Sequence, residues 1–259
     1  MLGLRLFDFW ARFHKPVLGD GTPPVLWIAH RGDHRFHPEN SLAAITAAAD
    51  SRADMIEIDV HLSADGIPVV FHDTNLLRLG RRDIGINQLT AQELSGIFLS
   101  NSDQHIPTLQ EVLQLDLADK KLLIELKNPA RGIYRGLADA VAGLVMRLGA
   151  SNRVIAQSFE TFYLKRILEN YPIECHQLIE GAAAPFWYDT RLRWGKFSPI
   201  KGVTSINVNF CYLNRQLIGA AKKHGVNLMA YTPNTKSDAT RSIQAGASGI
   251  ISDNLELFK

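Results

Sequence analysis

The sequence predicts an α/β protein with the parallel (β/α)8 fold of a TIM barrel. Short strand-like apolar runs alternate with helix-like stretches, eight such runs can be counted, and 259 residues is an ordinary length for one barrel domain. The predicted strands are Val25 to His30, Met55 to Val60, Leu122 to Lys127, Arg153 to Ser158, Glu174 to Ile179, Ser205 to Asn209, Asn227 to Thr232 and Gly249 to Ser252. The predicted helices between them include Ser41 to Ser51, Tyr134 to Leu148, Thr161 to Glu169, Asn214 to His224 and Lys236 to Ala245.

A further apolar run, Pro68 to His72, does not fit as a barrel strand. Only Ser63 to Ile67 separates it from the second strand, whereas a parallel crossover needs about a dozen residues. Asp65-Gly66 is typical of a tight turn. We therefore predict a β-hairpin from Met55 to His72 whose second arm is antiparallel. Asp73 to Pro107 is then a small insertion at the barrel mouth, with one short helix at Thr90 to Ile97.

Composition excludes several classes of protein. The chain is 46% hydrophobic and 21% charged, which is an ordinary globular balance, and its net charge of +2 gives no field for binding nucleic acid. The apolar runs are shorter than the roughly 20 residues that span a bilayer. Cys175 and Cys211 lie in apolar runs, and we expect both to be reduced core residues. There is no P-loop, dinucleotide-binding loop, zinc motif or nucleophile elbow.

The first 24 residues are expected to form a helix and a linker ahead of the barrel domain, residues 25–259. Met1 to Phe13 is not a secretory signal, because charged residues interrupt it and no cleavage site follows. Its apolar residues fit one face of a short helix that caps the core. The alternative is weak contact with a membrane surface or a partner. The expected location is cytoplasmic.

Charged side chains gather where the predicted strands end. His30-Arg31 ends the first strand, Glu57 and Asp59 share one face of the second, Glu125 and Lys127 share one face of the third, and His72 ends the hairpin. In a barrel, the carboxyl ends of the strands meet at one pocket, where active sites of this fold lie. Buried carboxylates repel one another unless a cation neutralises them. Glu57, Asp59 and Glu125 therefore predict a site for Mg²⁺ or Ca²⁺, the ions that prefer oxygen ligands. His61 alternates with the two acids, but we expect it at the rim of the site.

The chain resembles the glycerophosphodiester phosphodiesterase family in several motifs. They are, in the family's order, His30 to Ser41 (HRGDHRFHPENS), Glu57 to Asp73 (EIDVHLSADGIPVVFHD), Leu89 to Leu94, Ile106 to Leu113, Ile124 to Lys127, Gln157 to Phe159, Met229 to Asn234 and Gly249 to Asn254. The resemblance implies a barrel that hydrolyses glycerophosphodiesters to sn-glycerol 3-phosphate and an alcohol.

The same resemblance implies roles for individual residues. Glu57, Asp59 and Glu125 match the metal ligands, His30 and His72 match the acid/base pair, and Arg31, Lys127 and Tyr231 match positions that contact the substrate. Tyr231 stands where the family usually has Trp, Ser41 where Thr is common, and Asp33 to His37 is more charged than usual. Lys127 has an alternative role, which is to orient Glu125 through a salt bridge.

These residue types suit hydrolysis of an anionic ester. The cation and the Arg31 guanidinium would neutralise phosphoryl oxygens, and the two histidines would transfer the protons, a common role of this residue type. The nucleophile is water or the substrate's own 2-hydroxyl. An alternative activity is lysophospholipase D, which would act on lysophospholipids. The aromatic and basic stretch Phe186 to Lys196, with Trp187 and Trp194, would then contact the lipid at the mouth, although it also fits an ordinary packed loop.

Overall fold

The computed structural model describes residues 25–100, 102–179 and 198–258. Within these ranges the strands are β1 (Leu26–Ala29), β2 (Met55–Leu62), β3 (Pro68–Val70), β4 (Lys121–Leu126), β5 (Val154–Ser158), β6 (Glu174–Ile179), β7 (Ser205–Asn209), β8 (Asn227–Tyr231) and β9 (Gly249–Ser252). All of them except β3 pair in parallel around a closed ring in which β9 returns to β1 and β1 also pairs with β2. The predicted TIM barrel is confirmed. The expected N-terminal helix and the stretch Phe186 to Lys196 lie outside the described residues.

The helices of the described residues connect the strands. They are α1 (Leu42–Ala49), α2 (Leu77–Gly80), α3 (Ala91–Ser95), α4 (Leu109–Leu113), α5 (Leu137–Arg147), α6 (Thr161–Asn170), α7 (Arg215–His224) and α8 (Lys236–Ala245), with short 3₁₀ turns at Ile86–Gln88, Phe210–Tyr212 and Leu255–Phe258. Side-chain caps define several starts: Ser41 accepts the N–H of Ala44 in α1, and Thr108 forms a capping box with Glu111 in α4. The helix α4, which the sequence analysis did not predict, lies on the connection from β3 to β4.

The predicted hairpin is confirmed. Val60 pairs with Val70 and Leu62 pairs with Pro68 in antiparallel register. Gly66 has a φ of +78°, as a tight turn between the two arms requires. The strand β2 therefore extends beyond its last pairing with β4, at Val60, and β3 returns the chain toward the barrel mouth.

The chain after the hairpin is more ordered than predicted. Besides α3, which falls in the expected stretch, it forms α2 and a 3₁₀ turn. Its buried residues make a small core of their own, separate from the main one: Val69, Phe71, Leu76, Ile86, Leu94, Ile97, Leu99 and Ile106. The returning arm contributes Val69 and Phe71 to this cluster, so the hairpin and the insertion pack as one unit.

Strand alternation separates two kinds of side chain. On β2, Ile56, Ile58 and Val60 belong to the core between barrel and helices. Met55, Glu57 and Asp59 occupy the other face, which points into the barrel. The interior has an apolar layer of Ile28, Met55, Leu123, Ile155, Met229 and Ile251. The acids lie two and four residues further along β2, and so nearer the carboxyl ends of the strands.

One expectation about the cysteines is wrong. Cys175 is buried as predicted, but Cys211 is exposed, because it lies in the 3₁₀ turn that follows β7 rather than in the sheet. Neither forms a disulfide. Among the described residues, no helix is long and apolar enough to cross a membrane.

Candidate active site

Three buried carboxylates meet inside the barrel mouth. Glu57 and Asp59 come from β2, and Glu125 lies opposite Asp59 in the register with β4. One oxygen from each residue lies within 4.8 Å of the other two. The predicted metal ligands are thus brought together, on adjacent strands.

The pKa values of two acids in this cluster are shifted in opposite directions. Burial and then the charges of Asp59 and Glu125 raise the pKa of Glu57 well above its ordinary value. Burial also acts against ionised Asp59, but the charges of Lys127 and Arg31 overcome it and hold the pKa of Asp59 below its ordinary value. Asp59 Oδ1 is buried without a hydrogen-bond partner. Three carboxylate oxygens so close together are a donor set that could hold a divalent metal ion.

Two amide side chains fix the orientation of the acids. Asn40 donates to Asp59 Oδ2 at 2.8 Å and accepts the Asp59 backbone N–H at 3.1 Å. Gln157, on β5, donates to Glu57 Oε1 at 3.1 Å. Asn207 in turn donates to Gln157 at 2.7 Å. Amide side chains therefore hold Glu57 and Asp59 in place, while Asp59 Oδ1 accepts no hydrogen bond.

Lys127 is close to two of the acids. Its Nζ lies 2.8 Å from Glu125 Oε1 and 3.4 Å from Asp59 Oδ1. Burial lowers the pKa of the lysine, but the charges of Asp59 and Glu125 raise it by more, so the ammonium is retained. The alternative role, orientation of Glu125 through a salt bridge, has the required contact.

The chain turns sharply after β1. Gly32 has a φ of +82°, and a Cβ there would lie 2.6 Å from the Ala44 backbone carbon, so only glycine fits. Arg31 is also in the left-handed region, at +57°. Its backbone N–H donates to Glu57 Oε2 at 3.1 Å, and its guanidinium donates to Glu39 at 2.8 Å. Arg31 Nε is buried and forms no hydrogen bond, although it lies 3.3 Å from Asp59 Oδ2.

His30 faces the carboxylates. Its Nδ1 donates to Asp253 at 2.6 Å, which leaves Nε2 on the side of Glu57, 3.9 Å from Oε2. Asp253 comes directly after β9 and also accepts hydrogen bonds from His34 and Asn234. Burial opposes ionisation of Asp253, but the hydrogen bonds from His30 and His34 hold its pKa well below the ordinary value.

His72 has a similar arrangement at the end of the returning arm. Its Nδ1 donates to Asp73 at 2.7 Å, and Asp73 accepts a hydrogen bond from Arg78 at 2.6 Å. Arg78 also forms two hydrogen bonds to Glu39, the partner of Arg31. A chain of ion pairs therefore links His72 to Arg31 across the mouth.

His61 is not at the rim, and that expectation is wrong. Its side chain is fully buried, because β2 continues past the barrel and is covered by the returning arm and by Tyr134. Its Nε2 lies 3.1 Å from the carbonyl oxygen of His72. Burial lowers the pKa of His61 to about 4, so the ring is neutral at neutral pH.

Tyr231 lies at the end of β8 and is partly buried. Its hydroxyl donates to the Ile179 carbonyl at 2.6 Å, and its ring meets Phe159 edge-on with centroids 6.2 Å apart. The hydroxyl is thus tied to β6, which is separated from β8 by β7 in the barrel.

Several residues around the site were not singled out from the sequence. They are Glu39, Asn40, Arg78, Gln157 and Asp253. All except Arg78 lie inside motifs quoted above (HPEN, QSF and SDN), so the family resemblance marked their segments without giving their contacts. Arg78 follows the hairpin in a stretch with no such motif.

Comparison with known proteins agrees with this geometry. The model of the glycerophosphoryl diester phosphodiesterase family matches residues 30–257. A glycerophosphodiester phosphodiesterase of Caldanaerobacter subterraneus subsp. tengcongensis is 30% identical over 240 residues, which cover 90% of this chain and 95% of the relative.

Solved structures of similar proteins share the barrel. An Oleispira antarctica phosphodiesterase, in complex with the product sn-glycerol-3-phosphate, matches with a TM-score of 0.76 and 26% identity, covering 90% of this chain and 94% of that one. A glycerophosphodiester phosphodiesterase of Thermotoga maritima matches with a TM-score of 0.70 and 28% identity, covering 91% and 97%. With nearly all of the described barrel matched by the family model, this chain belongs to the glycerophosphoryl diester phosphodiesterase family and is an enzyme of that class.

Proposed function

We propose that the chain hydrolyses glycerophosphodiesters to sn-glycerol 3-phosphate and an alcohol, and that it needs a divalent cation, Mg²⁺ or Ca²⁺. The observation that carries this proposal is the buried cluster of Glu57, Asp59 and Glu125 beside Arg31 and His30. Family membership supports the reaction, and the similar Oleispira antarctica phosphodiesterase was captured with the product sn-glycerol-3-phosphate.

The three carboxylates would hold the cation. Their mutual repulsion favours this role over a purely structural one, and so does Asp59 Oδ1, which is buried and accepts no hydrogen bond although it lies 3.4 Å from the Lys127 ammonium. When bound, the cation would supply positive charge that neutralises the phosphoryl oxygens during attack. Asn40 and Gln157 fix the carboxylates in place before any ligand arrives.

Arg31 and Lys127 are suited to binding the phosphate. A planar guanidinium matches two phosphate oxygens, and the buried Nε of Arg31 is a donor that a phosphate oxygen would satisfy. Glu39 holds the other side of the guanidinium. Lys127 adds a second positive charge near Asp59. The ring of Tyr231 is suited to contact the substrate beside them.

His30 and His72 are suited to moving the protons. In each, Nδ1 donates to an aspartate, which leaves Nε2 to take a proton from the nucleophile or to give one to the leaving alkoxide. Asp253 and Asp73 therefore fix the tautomer as well as the direction of each ring. Because the Nδ1 of each histidine has an aspartate partner, these contacts do not tell the general acid from the general base. Substrates with different leaving groups can separate the two roles.

A second candidate substrate is a lysophospholipid. Three exposed apolar side chains, Phe36 after β1, Leu77 in α2 and Phe98 in the insertion, belong to segments that follow the carboxyl ends of β1 and β3. An acyl chain would find apolar contacts there.

A substrate panel tests the proposal. Glycerophosphodiesters with small alcohols and lysophospholipids are incubated with the enzyme, with Mg²⁺, with Ca²⁺ or with a chelator. Release of sn-glycerol 3-phosphate from the small esters is measured by a coupled assay, and release of lysophosphatidic acid from the lysophospholipids is measured by mass spectrometry. We expect release from the small esters with a cation and none in the chelator. Glu57→Gln is expected to lose about 100-fold or more, because a catalytic metal is worth several kcal/mol.

The matched control is Glu169→Gln, which removes an exposed carboxylate of α6. It should behave as the unmodified enzyme does. Full activity in excess chelator would contradict the cation, and release of lysophosphatidic acid from lysophospholipids alone would favour the second substrate.

A further inference from the structure

His61 is a buried histidine that the mechanism above does not use. It shares the inward face of β2 with Glu57 and Asp59, but lies beyond Val60, the last residue of β2 paired with β4. At this height β2 pairs only with the returning arm, with His61 opposite Val69. Its ring is fully buried, and both nitrogens are within hydrogen-bond distance of a partner.

The two contacts of His61 define its proton. Nε2 lies 3.1 Å from the backbone carbonyl oxygen of His72, which can only accept, so Nε2 carries the hydrogen. Nδ1 of the neutral ring is then an acceptor. It lies 3.2 Å from the hydroxyl of Tyr134, which must donate to it. The tyrosine therefore supports the tautomer in which the histidine donates to the carbonyl.

Tyr134 is itself held in place. Its backbone N–H donates to the hydroxyl of Tyr163 at 2.7 Å, and Tyr163 is fully buried in α6. The rings of His61 and Tyr134 meet edge-on, with centroids 5.8 Å apart and planes at 84°. A continuous series of contacts thus runs from α6 through Tyr134 and His61 to the peptide of His72.

The backbone at His72 depends on this series. The strand β3 ends at Val70, so the His72 carbonyl lies outside the hairpin ladder and has a side chain as its partner. The His72 ring is separately oriented by Asp73. Asp73 fixes the direction of the imidazole, while His61 and Tyr134 fix the position of the peptide from which the side chain extends.

We propose that His61 and Tyr134 are positioning residues that hold the peptide carbonyl of His72 and so set the reach of its imidazole toward the substrate. This inference rests on the proposed role of His72 in proton transfer. A small displacement of a catalytic group has large effects on rate, and loss of an outer support costs roughly 10- to 100-fold. We expect that range for His61→Ala, and about 10-fold for Tyr134→Phe.

A double-mutant cycle tests the pair, with kcat/KM measured on a natural glycerophosphodiester and on an activated nitrophenyl phosphodiester. His61→Ala combined with Tyr134→Phe should be no worse than His61→Ala alone, because the tyrosine acts through the histidine. His61→Gln, whose amide can donate to the same carbonyl, should recover much of the activity and be insensitive to Tyr134→Phe. The ratio between the two substrates in His61→Ala should follow the ratio in His72→Ala.

The control is Tyr171→Phe, at the C-terminal end of α6. It removes a hydroxyl that donates to Asp139 of α5, and it should leave both rates unchanged. Normal activity of His72→Ala would overturn the proposed role of His72 in proton transfer, and this inference with it. A large loss in His72→Ala with His61→Ala and Tyr134→Phe within about twofold of the unmodified enzyme would overturn only this inference. Two other results would also overturn it. One is additive losses of kcat/KM in the His61→Ala/Tyr134→Phe double variant. The other is a ratio of kcat/KM between the two substrates that differs from the ratio of His72→Ala, in both Tyr134→Phe and His61→Ala. If His61→Ala does not fold, Tyr134→Phe alone still tests the inference, because it removes only a hydroxyl from a partly exposed residue.

Discussion

Asp253 is a single carboxylate that serves two histidines of the loop after β1. His30 lies 2.6 Å and His34 lies 3.1 Å from its Oδ1. The hydrogen bond to Asp253 raises the pKa of His34 against the effect of burial, while the pKa of Asp253 is held below its ordinary value. The stability of this loop should therefore depend on pH at two points.

We predict a pH window for the effect of Asp253→Asn on stability. Because folding lowers the pKa of Asp253, its ionised carboxylate stabilises the fold at pH values above about 4, the ordinary pKa of an aspartate. This stabilisation is lost as the pH falls through the pKa of the folded state. Because folding raises the pKa of His34, its protonated ring stabilises the fold at pH values below about 6.5, the ordinary pKa of a histidine. This stabilisation is lost as the pH rises through the pKa of the folded state. The deficit of Asp253→Asn in urea unfolding should thus be largest between about pH 4 and 6.5. Asp119→Asn, at an exposed turn, is the control; a deficit that is constant with pH would contradict the pairing.

For single residues, the alternation of side chains along each strand was enough to predict which of them point into the barrel. Glu57 and Asp59 share a strand face, and a barrel brings that face against the one that holds Glu125, so the cluster followed from spacing and fold class. The supports did not follow. Gln157 is 100 positions from Glu57, and Asp253 is 223 positions from His30, so only the folded chain shows their contacts. His61 was misplaced because its burial comes from the returning arm and from Tyr134.

The hairpin and the insertion are the elements that adapt the barrel to this site. The hairpin was predictable because five residues cannot make a parallel crossover, and the observed register confirms it. The four-residue helix α2 was not, because so short a helix has little intrinsic stability and depends on tertiary packing. Leu76, Ile86 and Leu94 supply that packing from within the insertion.

Arg78 connects the insertion to the mouth, and we predict that Arg78→Ala lowers kcat/KM by about 10-fold with little change in melting temperature. The side chain is 45% exposed, and exposed ion pairs contribute only about 0–1 kcal/mol to stability. Its hydrogen bonds to Glu39 and Asp73 nevertheless steady the partners of Arg31 and His72. Arg78→Lys should not restore the rate, because an ammonium cannot bind Glu39 through two nitrogens.

Steady-state kinetics and a thermal melt on the same samples check this prediction. The matched control is Arg82→Ala, which removes an exposed arginine two residues beyond α2. The prediction is contradicted if both variants lower the melting temperature and the rate together. The loss of rate would then come from general destabilisation of the insertion and not from the contacts of Arg78.

Closure of the barrel is what brings three like charges to one point. The parallel pairing of β2 with β4 sets Asp59 opposite Glu125, and an apolar layer lies beneath them in the barrel. The fold therefore stores repulsion that a cation would relieve.

We predict that saturating Mg²⁺ or Ca²⁺ raises the melting temperature. A ligand at 100 times its dissociation constant stabilises the native state by about 2.7 kcal/mol, and each kcal/mol shifts a chain of this size by roughly 2–4 °C. An increase of roughly 5–10 °C is expected in differential scanning fluorimetry, reversed by chelator. Glu125→Gln should reduce the shift and Glu169→Gln should keep it. A melting temperature that no divalent cation moves would argue against binding at the cluster.

The most direct test of the central claim is the leaving-group dependence of His30→Ala and His72→Ala. Each loss should cost on the order of 100-fold or more with a natural glycerophosphodiester in the presence of cation. With a nitrophenyl phosphodiester, whose nitrophenolate leaves without a proton, the variant that lacks the general acid should recover much of that loss, and the variant that lacks the general base should not. Near-normal activity of either variant on the natural ester would contradict the two-histidine mechanism.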